Sequence, residues 1–92
     1  MINKNIIKIR KKLDKLDNEF LKLIKIRTVL VNQVLKNKKY KKDIVDKKRI
    51  SVILKNIRTK SLKRNIDPKI TNKIWSNMIK AYINYEYRNF KK

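Results

Sequence analysis

One basic residue, Arg27, lies in the first third of the chain at a position where a hydrophobic residue is expected. Alternating steps of three and four give a series, the seam, in which only Arg27 is not apolar: Ile6, Ile9, Leu13, Leu16, Phe20, Leu23, Arg27, Leu30 and Val34. Such a series is typical of a helix that packs lengthwise against other helices. Because burying an unpaired guanidinium is costly, we expect either a buried carboxylate or an anionic ligand beside Arg27.

Four more charged residues lie on or beside apolar faces: Arg10, Lys38, Arg49 and Glu86. Together with Arg27 they make four cations and one carboxyl group in a chain of predicted helices. An Arg binds a carboxylate through two parallel hydrogen bonds, and Glu86 becomes a hydrogen-bond donor when it is protonated. We interpret this set as a pocket for a small polyanion, with a dicarboxylate as the best match.

Each of these residues also has a purely structural interpretation. Arg27 could form a salt bridge with Asp17 or Glu86, and Arg49 could pair with Asp46 one helical turn before it. Lys38 could stabilise the C-terminal end of a helix, Arg10 could be a solvated flank, and Glu86 could lie in a frayed terminus. These alternatives stay open at the level of the sequence.

The composition limits the chemistry. The chain contains neither Cys nor His, which excludes thiolate or imidazole nucleophiles and metal sites built from these side chains. We expect no cofactor and no metal. Fixed charges and a carboxyl donor remain as the available means of catalysis.

The net charge of +21, from 28 basic and 7 acidic residues, is typical of a protein that binds nucleic acid or an anionic membrane. Most of the excess is Lys spread along the whole chain together with many Ile and Asn residues, a combination that A-rich codons favour. We therefore interpret it as a solvated surface and expect no nucleic-acid partner. No apolar run of about 18–20 residues and no signal-peptide pattern are found, so we expect no membrane association and a cytoplasmic protein.

The absence of Gly and the single Pro favour an all-α fold, and the length favours one domain over residues 1–92. We predict three helices, from about Lys4 to Asn37, Ile44 to Arg64 and Pro68 to Asn89, with a lysine-rich connector over Lys38–Lys42. The first helix would be ~50 Å long, whereas a compact domain of this size is only ~30 Å across. We therefore expect a homodimer in which the long helices lie side by side.

The two shorter helices have recognisable ends and apolar faces. Asn65 suits a left-handed C-terminal cap, and Asp67 followed by Pro68 is a typical helix start. The second helix is predicted to bury Ile50, Ile53, Leu54 and Ile57, with Asp46 and Arg49 on the same side at its N-terminal end. The third helix has a stripe of apolar residues that ends at a carboxyl group: Ile70, Ile74, Trp75, Met78, Ile79, Tyr82, Ile83 and Glu86.

These motifs, in this order, resemble the all-helical chorismate mutase family over essentially the whole chain. The resemblance begins with Arg10 and the following Leu13-Asp14-Lys15-Leu16-Asp17, and continues with an aliphatic block that ends at Arg27. Lys38 follows at the family's spacing, and Asp46-Lys47-Lys48-Arg49 resembles its Asp-x-x-Arg motif. The segments Ile66-Asp67-Pro68, Ile74-Trp75 and Met78-Ile79 resemble its third helix.

The resemblance implies an intertwined homodimer that converts chorismate to prephenate without a cofactor, at two equivalent sites. Arg27, Lys38 and Arg49 would bind the two carboxylates of the substrate, together with Arg10 supplied by the partner subunit. Lys38 and Glu86 would contact the ether oxygen that leaves the ring. Asp46 would lie near the ring hydroxyl, and Tyr82 would lie one turn before Glu86.

Two departures from the family pattern leave the substrate open. Ile50 stands where the family often has Glu, and Tyr82 stands where a small hydroxyl residue is common. At both positions the chain is similar to the related isochorismate pyruvate-lyases, which yield salicylate and pyruvate. Glu86, in contrast, is a residue that resembles the mutases. A nucleic-acid-binding helical protein and a purely structural helical dimer are alternatives from other classes, but neither explains an Arg on the seam.

Overall fold

A computed structural model describes residues 3–91, and this part of the chain consists of helices and connections without a strand. Helix α1 is Lys4–Lys36, α2 is Lys47–Lys63 and α3 is Pro68–Asn89, with one short 3₁₀ turn at Lys41–Asp43 between α1 and α2. The prediction of an all-α chain with three helices, the first of them long, is confirmed. None of these helices has a stretch apolar and long enough to span a membrane.

The predicted start of the second helix at Ile44 is wrong by three residues, because a capping side chain sets the boundary further on. The carboxylate of Asp46 accepts a hydrogen bond from the backbone N–H of Arg49 at 3.0 Å, which makes Asp46 the N-cap of α2. Ile44 instead closes the 3₁₀ turn, and with 3% exposure it is a buried residue of the connection.

The connection between α2 and α3 has the predicted geometry. Asn65 adopts a left-handed conformation, with φ of 56°, and the N–H of Ile66 donates to the carbonyl of Ser61 at 2.9 Å. Asp67 then caps α3 by accepting from the N–H of Lys69 at 2.9 Å, and Pro68 begins the helix. The start predicted for the third helix is therefore confirmed.

The chain divides into two compact units, Met1–Gln33 and Val34–Lys92. In the first unit the structure describes α1 as far as Gln33, and this part of the helix carries most of the seam. The apolar seam residues of this unit are 38–62% exposed, with the lowest value at Ile6 and the highest at Leu23. The apolar face predicted from the sequence is present, but it is not buried within this chain.

In the second unit, α2 packs against α3 over a small core. Its most buried apolar side chains are Leu35 and Ile44, and the four residues predicted to face inward from α2 are half-buried. Two buried hydroxyl groups, which the sequence analysis did not single out, join the helices: Ser61 Oγ lies 2.7 Å from Thr71 Oγ1. These side chains face each other where α2 ends and α3 begins.

The predicted apolar stripe of α3 is only partly correct. Ile70 and Ile74 are 56% and 46% exposed, although both were predicted to be buried. At 100° per residue, the inward direction of α3 is set by Thr71, Trp75 and Glu86, and the two isoleucines lie to one side of it. The remaining members of the stripe are half-buried or buried: Trp75, Met78, Ile79, Tyr82, Ile83 and Glu86.

Candidate functional site

An ion pair with little exposure joins the start of the connector to the last turn of α3. The Nζ atom of Lys38 lies 3.2 Å from Oε1 of Glu86, and the two side chains are 18% and 9% exposed. The two residues are 48 positions apart in the sequence. Glu86 is therefore held inside the unit, and its interpretation as part of a frayed terminus is wrong.

Lys38 has a second partner between α1 and α2. Its Nζ also donates to the backbone carbonyl oxygen of Ile44 at 3.1 Å. An ammonium group has three N–H donors, so these two contacts within residues 3–91 leave one donor for a ligand. An ion pair withdrawn from water is stable only when such extra hydrogen bonds support it, and removal of one partner leaves the other charge buried.

Tyr82 lies one helical turn before Glu86, on the same side of α3. Its ring is half-buried and packs edge-on against Tyr85, with 6.2 Å between the ring centroids and 82° between the planes. Edge-to-face contacts of this kind fix the orientation of aromatic rings. The structure thus places a phenol, a carboxylate and an ammonium group within the same unit, the latter two in direct contact.

Asp46 and Arg49 stand at the exposed N-terminal end of α2. The Asp46 carboxylate is engaged by the backbone N–H of Arg49, and no ion pair joins the two side chains in the described part of the chain. The interpretation of Arg49 as the salt-bridge partner of Asp46 is therefore wrong. At 100° per residue both lie on the side of α2 that carries Ile53 and Ile57, as predicted, but at this end of the helix that side is exposed.

Arg10 and Arg27 belong to the Met1–Gln33 unit. Arg10 is exposed, as expected for a residue beside the seam. Arg27 is half-buried and its Nε atom is buried, although its seam neighbours Leu23 and Leu30 are 62% and 54% exposed. The cation on the seam is therefore less exposed than the hydrocarbon side chains on either side of it.

The contact between Lys38 and the segment before α2 could not be predicted from the sequence. The second partner of Lys38 is the carbonyl oxygen of Ile44, a backbone group that no side-chain pattern reveals. Asp43, which accepts a hydrogen bond from the backbone N–H of Tyr40 at 3.2 Å, was not singled out either. Its spacing of three residues from Tyr40 is typical of a turn cap and was an available signal.

The arrangement suits stabilisation of charge by fixed groups. Within the Val34–Lys92 unit it offers an ammonium donor and a carboxyl group in contact. No group of three or more acidic side chains that could hold a metal ion is found within residues 3–91. A site of this composition binds an anion and stabilises negative charge that develops on an oxygen atom during a reaction.

The comparison with protein families agrees with this chemistry. Residues 9–87 match the family model described as chorismate mutase type II, which covers most of the chain. No curated protein and no solved structure matches the chain. The chain therefore belongs to the type II chorismate mutase family. It is an isomerase of the class that converts chorismate to prephenate.

Proposed function

We propose that the protein catalyses the Claisen rearrangement of chorismate to prephenate in aromatic amino acid biosynthesis, in the cytoplasm. The proposal depends on one observation above all, the contact of 3.2 Å between Lys38 Nζ and Glu86 Oε1. The reaction is unimolecular and pericyclic, so it requires no nucleophile, general base or cofactor. A chain without His or Cys has the groups that such a reaction needs.

Lys38 and Glu86 are proposed to stabilise the ether oxygen as its bond to the ring breaks. Lys38 uses the donor that neither Ile44 nor Glu86 occupies, and it delivers a positive charge to an oxygen that becomes more negative. Glu86 donates from its second carboxyl oxygen in the protonated state, while the first stays in contact with Lys38. Two donors at one oxygen then favour the transition state over the bound substrate.

The remaining cations are proposed to bind the two carboxylates and to fix the substrate in the reactive conformation. Arg27 and Arg49, with Lys38, supply the cations of one subunit, and Arg10 comes from the partner subunit. Asp46 is assigned to the ring hydroxyl, although its carboxylate also caps α2. The half-buried Tyr82 is assigned to the wall of the site. An acceleration of about a millionfold corresponds to roughly 8 kcal/mol, which restriction and charge stabilisation together are able to provide.

We further propose that residues 1–92 act as one domain within a homodimer. The exposed seam supports this, because its apolar side chains continue along α1 for about seven helical turns. Single exposed hydrophobic residues are normal, whereas a contiguous apolar stripe marks an interaction surface. A second copy of α1 offers a matching stripe, as the isologous interface of a two-fold dimer requires.

The alternative within the same chemistry is the isochorismate pyruvate-lyase reaction. Ile50 and Tyr82 favour it, since neither residue follows the mutase pattern. Glu86 in contact with Lys38 favours the mutase. Both reactions are pericyclic and use a similar set of cations, so only the product separates them.

The test is to incubate the purified protein with chorismate and, separately, with isochorismate. The mutase proposal predicts loss of the chorismate absorbance and formation of prephenate, with kcat/KM far greater for chorismate. Salicylate and pyruvate from isochorismate, with chorismate unchanged, would establish the lyase instead. Lys38→Ala is the control of strongly reduced activity and Lys39→Ala, at the exposed neighbouring residue, is the matched active control.

A further inference from the structure

The orientation of the Lys38 ammonium group depends on a backbone carbonyl six residues further along the chain. Lys38 Nζ donates to the carbonyl oxygen of Ile44 at 3.1 Å, and it contacts Glu86 from another side at 3.2 Å. Lys38 is a long side chain just beyond the end of α1, with several rotatable bonds. The Ile44 carbonyl therefore restricts where the ammonium donors of Lys38 can point.

The position of this carbonyl is set by the 3₁₀ turn Lys41–Asp43. The backbone of Tyr40 is extended, and its N–H donates to Oδ2 of Asp43 at 3.2 Å. In return the N–H of Asp43 donates to the carbonyl of Tyr40 at 3.0 Å, and the N–H of Ile44 donates to the carbonyl of Lys41 at 3.2 Å. These contacts close the turn, and the side chain of Ile44, which is 3% exposed, anchors it in the core.

The charges of the connector make the Asp43 carboxylate important. The connector carries Lys39, Lys41 and Lys42, all of which are exposed. A segment with this many like charges tends to extend, since the charges repel one another. Asp43 opposes this tendency in two ways, because it adds a negative charge and accepts the N–H of Tyr40.

We propose that Asp43 is a positioning residue for catalysis. It closes the turn that presents the Ile44 carbonyl to Lys38, and this carbonyl occupies one ammonium donor so that the others serve Glu86 and the ether oxygen. The inference depends on the proposed function for its effect on turnover. Its structural part, the dependence of Lys38 on Asp43, does not depend on the identity of the substrate.

The kinetic test compares Asp43→Ala with Asp43→Asn and with Asp67→Ala. Asp43→Ala is expected to lower kcat about tenfold or more with little change in KM, because a loosely held donor costs transition-state stabilisation. Asp43→Asn is expected to recover most of the activity, since an amide oxygen also accepts from the Tyr40 N–H. Asp67 caps α3 with a bond of 2.9 Å, so Asp67→Ala should lower Tm by a few degrees without lowering kcat.

A second measurement does not require activity. In ¹⁵N-labelled protein, the ammonium group of Lys38 should give a slowly exchanging signal, assigned by its absence in Lys38→Arg. The signal should disappear in Asp43→Ala and persist in both Asp43→Asn and Asp67→Ala. A Lys38 signal and kcat that are unchanged in Asp43→Ala would overturn the inference. If the wild type proves inactive on chorismate, the signal alone tests whether the position of Lys38 depends on Asp43.

Discussion

The two units of the chain distribute their polar and apolar groups in opposite ways. In the Val34–Lys92 unit, charged and hydroxyl groups are buried with partners, as Lys38 with Glu86 and Ser61 with Thr71 show. In the Met1–Gln33 unit, large hydrocarbon side chains such as Leu16 and Phe20 are more than half exposed, at 54% and 52%. One unit pairs its own polar groups, whereas the other exposes an apolar face.

The proposed function gives the two units different roles. The second unit contains a complete contact between a donor and a carboxyl group, and this contact needs no other chain. The seam of the first unit exposes apolar side chains. We propose that a second copy of the chain packs against it and supplies Arg10 to the site. Substitutions in each unit separate these two contributions.

The largest expected effect concerns the ion pair of the second unit. Lys38→Ala removes a donor from the ether oxygen and leaves Glu86 with little exposure and no cation, and we expect kcat to fall by roughly 10²–10³-fold. The measurement is a steady-state assay with chorismate, with circular dichroism to confirm the helical fold. Lys39→Ala at the exposed neighbouring position should retain wild-type kcat, and a similar loss in both variants would contradict a specific role for Lys38.

The second prediction concerns the seam of the first unit. Leu16→Asp places a charge in the middle of the apolar stripe. We expect it to raise the dissociation constant of the dimer by about 100-fold or more, because burying an unpaired carboxylate is costly. Analytical ultracentrifugation over a range of concentrations measures this change. Asn18→Asp adds the same charge on the opposite side of α1 and should leave the dimer intact. A wild-type monomer at all concentrations would refute the proposed role of the seam.

The third prediction concerns the protonation of Glu86. Because the carboxyl group donates to the ether oxygen only when it is protonated, turnover should fall as the pH is raised. Glu86→Gln carries a permanent donor and should flatten this profile. The check is kcat against pH for both proteins. Profiles of the same shape in both would remove Glu86 from the donor role.

The smallest expected effect concerns the hydroxyl pair between α2 and α3. Thr71→Val removes the partner of Ser61, which still donates to the carbonyl of Ile57 at 2.6 Å, so we expect a loss of only about 1 kcal/mol in the free energy of unfolding. Thermal denaturation should show a fall in Tm of about 4–8 °C with unchanged kcat. Thr59→Val, at an exposed position of α2, should change Tm less. Equal shifts would show that the buried pair adds nothing specific.

Local signals in the sequence were sufficient for much of the fold. Asn65, Asp67 and Pro68 fixed the break between α2 and α3, because caps and turns depend on neighbouring residues. The start of α2 was predicted at Ile44, since an apolar residue can begin a helix or fill a core equally well. The true start depended on which of two nearby carboxylates, Asp43 or Asp46, capped the helix.

The site was predictable only in part. Glu86 and Lys38 were both singled out, but their contact spans 48 residues and depends on the packing of the second unit, which spacing along the chain does not determine. The family resemblance joined them where periodicity did not. The seam showed an apolar face, yet a single chain does not specify what covers it. The Ile44 carbonyl had no side-chain signal.

The most direct test of the proposed shared active site is an activity assay on mixed subunits. Arg10→Ala and Arg27→Ala should each be inactive alone. After denaturation and joint refolding, half of the dimers are mixed, and each mixed dimer holds one intact site, so about a quarter of the wild-type activity should return. No activity in the mixture, with mixed dimers demonstrated by mass spectrometry, would contradict a site completed by Arg10 of the partner subunit.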